Sequence, residues 1–124
     1  MSTFELSPAI PQLPSGDINK TAEFFEKFLG FEIIAKMNND TFLIVKRGSV
    51  EIHFWKAEDE KAAREVGSES SCYIRVKNVA KLFEDLKARD AKFRYELKPM
   101  PWGMNEMQID DPYGNAIKFG EPIG

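Results

Sequence analysis

Between Asp17 and Leu29 apolar side chains recur at Ile18, Ala22, Phe25 and Leu29, the spacing of one buried helical face. The Asp17 carboxylate can cap the amides that open such a helix, and Gly30 can end it. The period then changes to two. Phe31 to Met37, Thr41 to Lys46 and Val50 to Lys56 read as three strands, separated by turn signals at Asn38-Asn39-Asp40 and Arg47-Gly48-Ser49. The stretch from Ala57 to Ser70 is charged and weakly periodic, and reads as a connector with a helical turn across Glu60 to Glu65.

The same order returns in the second half. An alternating strand from Ser71 to Val76 leads to a helix capped by Asn78, with Val79, Leu82, Phe83 and Leu86 on its buried side. Strands follow at about Phe93 to Leu97, Asn105 to Asp110 and Asn115 to Gly120. The last two are joined by the turn Asp111-Pro112-Tyr113-Gly114-Asn115, where proline presets one dihedral and glycine accepts positive φ. The two helices match at one offset, Asp17 on Asn78, Ile18 on Val79, Ala22 on Phe83 and Phe25 on Leu86. With a short strand before each helix (Ala9 to Leu13 and Ser71 to Val76), the chain divides into two βαβββ modules. They cover about residues 8–56 and 71–121 of a single domain, joined by a connector at about 57–70. The expected fold is α+β, a curled mixed sheet forming a cup, with helices over the outer face and the inner face open.

Composition narrows the function. At 124 residues, 43% hydrophobic and 30% charged, the chain suits one folded domain. A net charge of -3 argues against a nucleic-acid binder, which needs a basic surface to displace counterions. Cys72 is the single cysteine, so no intrachain disulfide or cysteine zinc cluster can form, which favours a reducing cytoplasm. No apolar run approaches the roughly 18 residues of a membrane span, and Met1 to Glu5 shows no targeting pattern.

Strand alternation sorts the cup lining from the core. If Ile52 and Phe54 face the helix, then Glu51, His53 and Trp55 face the cup, and Ser71, Tyr73 and Arg75 face inward opposite to Cys72 and Ile74. Phe42 and Ile44 line the cup if Leu43 and Val45 are core. Phe42, Trp55, Tyr73 and Trp102 then form a candidate aromatic surface, able to stack on flat rings and to attract a cation over a ring face. A ring in a strand is equally at home in the core. Trp102 lies instead in Met100-Pro101-Trp102-Gly103-Met104, too rich in proline and glycine for a regular core strand, where contact with a ligand or partner is the better reading.

Pro14-Ser15-Gly16-Asp17, Thr21-Ala22-Glu23-Phe24-Phe25, Leu29-Gly30-Phe31 and Asp111-Pro112-Tyr113-Gly114-Asn115 together resemble the glyoxalase-like, vicinal-oxygen-chelate proteins over nearly the whole chain. Within that superfamily, the Leu13-Pro14-Ser15 lead-in, Arg47-Gly48 before Ile52-His53-Phe54-Trp55, and Trp102-Gly103 look most like the bleomycin resistance proteins. That resemblance implies a homodimer that exchanges N-terminal strands and binds a glycopeptide antibiotic of the bleomycin type in clefts between the chains. Aromatic side chains would clamp the bithiazole, and carboxylates would receive the cationic parts. Glu51, Glu106 and Asp110 are the candidates for that charge role. The resulting candidate ligand set is Phe42, Glu51, His53, Trp55, Ser71, Tyr73, Trp102, Gly103, Glu106 and Asp110. Pro11 and Pro14 suit the exchange by stiffening the hinge, although proline also ends strands in unswapped proteins.

Metal-dependent relatives place one ligand on each of four inner strands. By the family spacing those positions fall here at Ile10, His53, Ser71 and Lys118, of which His53 alone is a good ligand. Gln12 and Glu51 share faces with Ile10 and His53, so a slip in register would offer oxygen donors. No nucleophile arrangement or glycine-rich phosphate loop is evident. The expectation is therefore a binder without cofactor or catalysis that sequesters its drug. The alternatives are a metal-dependent lyase or thiol transferase of the same superfamily acting on a small electrophile, and a binder of another planar, cationic natural product.

Overall fold

Two prolines, at 8 and 11, precede the first strand. In the computed structural model, which describes residues 3–124, backbone pairing begins where the Pro11 carbonyl accepts the His53 amide at 3.0 Å, and β1 spans Gln12–Ser15. The expected Ala9 to Leu13 strand is thus displaced toward the helix, and residues 3–10 run exposed and outside any strand. α1 (Ile18–Leu29) starts with Asp17 accepting the Lys20 amide at 3.1 Å and stops at Gly30, which takes the left-handed conformation at φ 70°. β2 (Glu32–Met37), β3 (Phe42–Arg47) and β4 (Val50–Lys56) form a meander. β1 lies parallel against β4, giving the order β1-β4-β3-β2.

The charged connector holds a full helix rather than a single turn. α2 (Glu60–Gly67) is capped by Asp59, whose carboxylate accepts the Ala62 amide at 2.8 Å, and it packs on β1. Tyr113 is wedged against it, buried, with its hydroxyl donating to Glu60 at 2.7 Å. A Cβ at Gly67 would lie 2.1 Å from the Tyr113 carbonyl oxygen, so this approach requires glycine.

The second module repeats the first as β5 (Ser71–Arg75), α3 (Val79–Ala88), β6 (Tyr95–Pro99), β7 (Met104–Asp110) and β8 (Ala116–Pro122). Its sheet order is β5-β8-β7-β6, with β5 parallel to β8. The helix match extends to burial, since Ile18 and Val79, and Phe25 and Leu86, are buried alike. The α3 cap differs from expectation. Asn78 sits in left-handed backbone at φ 65° and makes no side-chain cap; instead Glu121 on β8 accepts the Asn78 and Val79 amides at 2.9 and 3.0 Å. Those two donors hold the Glu121 carboxyl below its ordinary range.

The sheets do not join into one curled surface within the chain. Among the described residues no strand of one sheet pairs with a strand of the other. Leu43, Val45, Ile52 and Phe54 of the first sheet share one core with Cys72, Ile74, Met107, Ile109, Ile117 and Phe119 of the second, together with both module helices. The helix-covered faces of both sheets therefore contribute to one core. This arrangement buries a large apolar core while leaving Glu51, His53, Arg75 and Lys118 near water. Arg47 ties the seam, donating to the Leu29 carbonyl at 2.7 Å and to Asp85 at 2.9 Å. Among the described residues no helix is long and apolar enough to cross a membrane.

Candidate ligand-binding site

Because the helix-covered faces of both sheets contribute to the shared core, the alternate faces point away from it. The predicted site residues divide between those two open faces. On the first sheet, Phe42 and Trp55 stand in register on β3 and β4, and His53 lies opposite Ile44. The Phe42 and His53 rings meet edge to face with centroids 5.3 Å apart, and His53 Nε2 lies 2.5 Å from Glu51 Oε2. Trp55 is 38% exposed and Glu51 half-buried, so this face offers an indole and a carboxylate to whatever covers it.

The second sheet carries a denser cluster. Tyr73 projects from β5, Glu106 from β7 and Tyr95 from β6, and Trp102 rises from the turn between β6 and β7. Gly103, at φ 85°, closes that turn, its amide donating to the Met100 carbonyl at 3.0 Å. Glu106 accepts from the Tyr73 hydroxyl at 2.8 Å, from the Trp102 indole at 3.2 Å and from the Tyr95 hydroxyl. Its residue is only 2% exposed, while Tyr73 and Trp102 remain 42% and 63% exposed. Burial alone would raise the Glu106 carboxyl, but the three donors and the nearby Lys118 ammonium outweigh it and hold the group below its usual range. Burial and the Glu106 hydrogen bond push the Tyr73 phenol up to about 12, so it stays a donor.

Two of the three expected charge receptors are therefore committed elsewhere. Glu106 lies beneath rings instead of facing a ligand, and Asp110 is paired with Arg94 at 2.5 Å and accepts from Gln108 at 2.8 Å. Glu51 keeps one carboxylate oxygen without a partner among the described residues, the other lying 2.5 Å from His53. Ser71 opens β5 exposed, two residues from Tyr73 on the same face. Sequence reasoning missed Tyr95 and Gly120. A Cβ at residue 120 would fall 2.0 Å from the Tyr73 hydroxyl oxygen, so glycine makes room for the ring. Nothing in the sequence brought Gly120 to Tyr73, and Tyr95 gave no signal beyond its strand.

Among the described residues no three His, Cys, Asp or Glu side chains gather where one ion would sit. At the four family positions, Ile10 lies outside β1, Ser71 is exposed, and Lys118 stands in register with Tyr73, so the donor set does not fit a divalent ion. Gln12 does stand opposite His53, but Glu51 and His53 are bonded to each other.

Residues 9–119 match the family model of the glyoxalase/bleomycin resistance protein/dioxygenase superfamily. The chain belongs to this superfamily. A bleomycin resistance protein of Geobacillus stearothermophilus is 29% identical, the match covering 93% of this chain and 96% of that protein. Among solved structures, a bleomycin-binding protein complexed with bleomycin is 25% identical with a TM-score of 0.77, covering 94% of this chain and 98% of that one. The bleomycin-binding protein of Streptomyces verticillus, complexed with copper(II)-bleomycin, is 25% identical with a TM-score of 0.76, covering 98% and 99%. The paired βαβββ modules are the architecture that this superfamily member shares with both structures.

Proposed function

We propose that this protein binds bleomycin-type glycopeptide antibiotics in clefts between two copies of the chain and sequesters them without chemical change, as a cytoplasmic homodimer. The observation that carries the reading is the division of the site. Each chain displays an open ring-bearing face on each sheet, Trp55 with Phe42 on one and Trp102 with Tyr73 on the other, and no hydrogen bond between described residues links the two groups. A second copy that set its second sheet against the first sheet of its neighbour would close two equivalent aromatic clefts. Residues 3–10 support it, since Phe4, Leu6 and Ile10 are exposed apolar side chains that a neighbouring chain would cover. β1 pairs with β4 in the single chain, and the exposed arm before it is the segment proposed for exchange. The solved relatives bound to bleomycin supply the ligand class.

The absence of chemistry is argued from the side chains. The metal positions carry an isoleucine, a serine and a lysine beside His53, and Cys72 is buried with its thiol pushed up to about 12, too high for a nucleophile at neutral pH. The competing reading is a metal-dependent enzyme of the superfamily, with Gln12, Glu51 and His53 as donors. Elemental analysis of purified protein separates the two, because stoichiometric nickel, zinc or manganese favours the enzyme. Titration calorimetry with metal-free and copper(II)-loaded bleomycin tests the binder. The expected result is tight binding of one drug per chain, which Trp55→Ala or Trp102→Ala weakens at least tenfold. A wild-type protein that gives no heat at micromolar drug removes the reading.

A further inference from the structure

The free charges on the second sheet's open face are positive. Glu106 is sealed under three donors and Asp110 is neutralised by Arg94, whereas the Arg75 and Lys118 side chains make no ion pair or hydrogen bond among the described residues. Arg75 is also placed where a ligand would meet it. Together with Tyr73, Trp102 and Met104 it walls a hollow of about 370 Å³. The indole in that wall is held through its Nε1 by Glu106 while the residue stays largely exposed. A flat guanidinium beside an open indole and phenol matches one kind of molecule, a planar ring system bearing an acidic group. The rings take the π-face, and the fork of N–H donors takes two oxygens side by side.

We infer that the Tyr73, Trp102, Met104 and Arg75 hollow binds planar aromatic anions, with the Arg75 guanidinium receiving the acidic group. This rests on the ligand cleft proposed above and extends its chemistry, for the cleft is divided by charge. Glu51 on the first sheet suits a cationic end, and Arg75 on the second suits an anionic one. Lys118, in register with Tyr73 on the neighbouring strand, adds positive potential without the planar fork.

The test compares 2-naphthoate with its neutral isostere 2-naphthamide by ligand-observed NMR titration of the full chain. Wild-type protein is expected to bind the carboxylate roughly tenfold more tightly than the amide, the scale of a charge-assisted pair. Arg75→Gln should bring that ratio close to one, and Arg75→Lys should keep part of the preference. Equal binding of both probes by the wild type, or a preference that survives Arg75→Gln, overturns the inference. So does a Arg75→Gln protein that changes oligomeric state with an unaltered ratio, because Arg75 is then a subunit contact. Bleomycin titrated in parallel keeps the two readings apart. Naphthoate preference without bleomycin binding removes only the earlier proposal, and bleomycin binding without the preference removes only this one.

Discussion

The Tyr73 hydroxyl donates a 2.8 Å hydrogen bond to Glu106, and it reaches that carboxylate across a space kept open by Gly120. A buried carboxylate thus serves as the frame for the rings above it. Burying the charge is tolerable because three donors satisfy it, and in return two phenols and an indole lose rotational freedom before any ligand arrives.

Gly120→Ala should therefore act through Tyr73 rather than through the backbone. Its Cβ would sit 2.0 Å from the tyrosine oxygen, and the strain of displacing the ring is expected to cost about 1–3 kcal/mol in denaturant unfolding. In a Tyr73→Ala background the same change should cost much less. Equal costs in the two backgrounds would show that the clash is not what glycine avoids.

Glu106→Gln leaves one acceptor where two phenols donated, so one hydroxyl must turn or go unpaired. A loss of about 1–3 kcal/mol is expected. The wild-type Glu106 carboxyl lies below its ordinary 4.5, so its contribution is complete above that pH and is lost as pH falls further through the folded value. Unfolding curves taken between pH 5 and pH 3 should show wild type losing its advantage over Glu106→Gln. A gap that stays constant across that range contradicts the assignment.

Much of this fold is legible in the sequence, because the period-3.6 runs at Ile18 to Leu29 and Val79 to Leu86 and the alternation in Val50 to Trp55 report local geometry directly. α2 was not legible as a full helix because the residues it buries are Ala63 and Gly67, too small to leave a hydrophobic stripe. Alternation also shows which side chains share a face, but not which faces meet. It placed Glu51 on an open face, while the family resemblance made Glu106 a candidate for the same charge role. Only the long-range approach of Tyr73 and Tyr95 distinguishes the accessible carboxylate from the sealed one.

Asp111 makes the opposite prediction from Glu106. Burial pushes its carboxyl up to about 6, against the opposing pull of hydrogen bonds from Asn115 and Tyr113. Between its ordinary 3.8 and about 6 the folded chain holds more protons than the unfolded one, so stability falls as pH rises through that window. Wild type should accordingly gain on Asp111→Asn as pH drops from 7 to 4. If chemical denaturation finds no such gain, the carboxyl is not raised.

Cys72 gives a test of the shared core. Its thiol is buried behind the second sheet and pushed up to about 12, first by desolvation and then by the Asp111 charge. Ellman's reagent at pH 8 should label the native protein at least a hundredfold more slowly than the unfolded chain, since reaction needs both exposure and thiolate. Prompt labelling of the folded protein would place Cys72 at the surface.

Subunit mixing decides whether the cleft joins two chains. Suppose Trp55 of one copy faces Trp102 of the other. A heterodimer of a Trp55→Ala chain and a Trp102→Ala chain then contains one cleft with both tryptophans and one with neither. Either variant alone has every cleft damaged. Co-expression in equal amounts gives about half heterodimers by random pairing, so about one quarter of all clefts should regain wild-type affinity for bleomycin. A cleft built within a single chain predicts no recovery at any mixing ratio, because no chain in the mixture carries both indoles. Titration of the mixture against each parent reads the difference as a tight-binding fraction that neither parent shows.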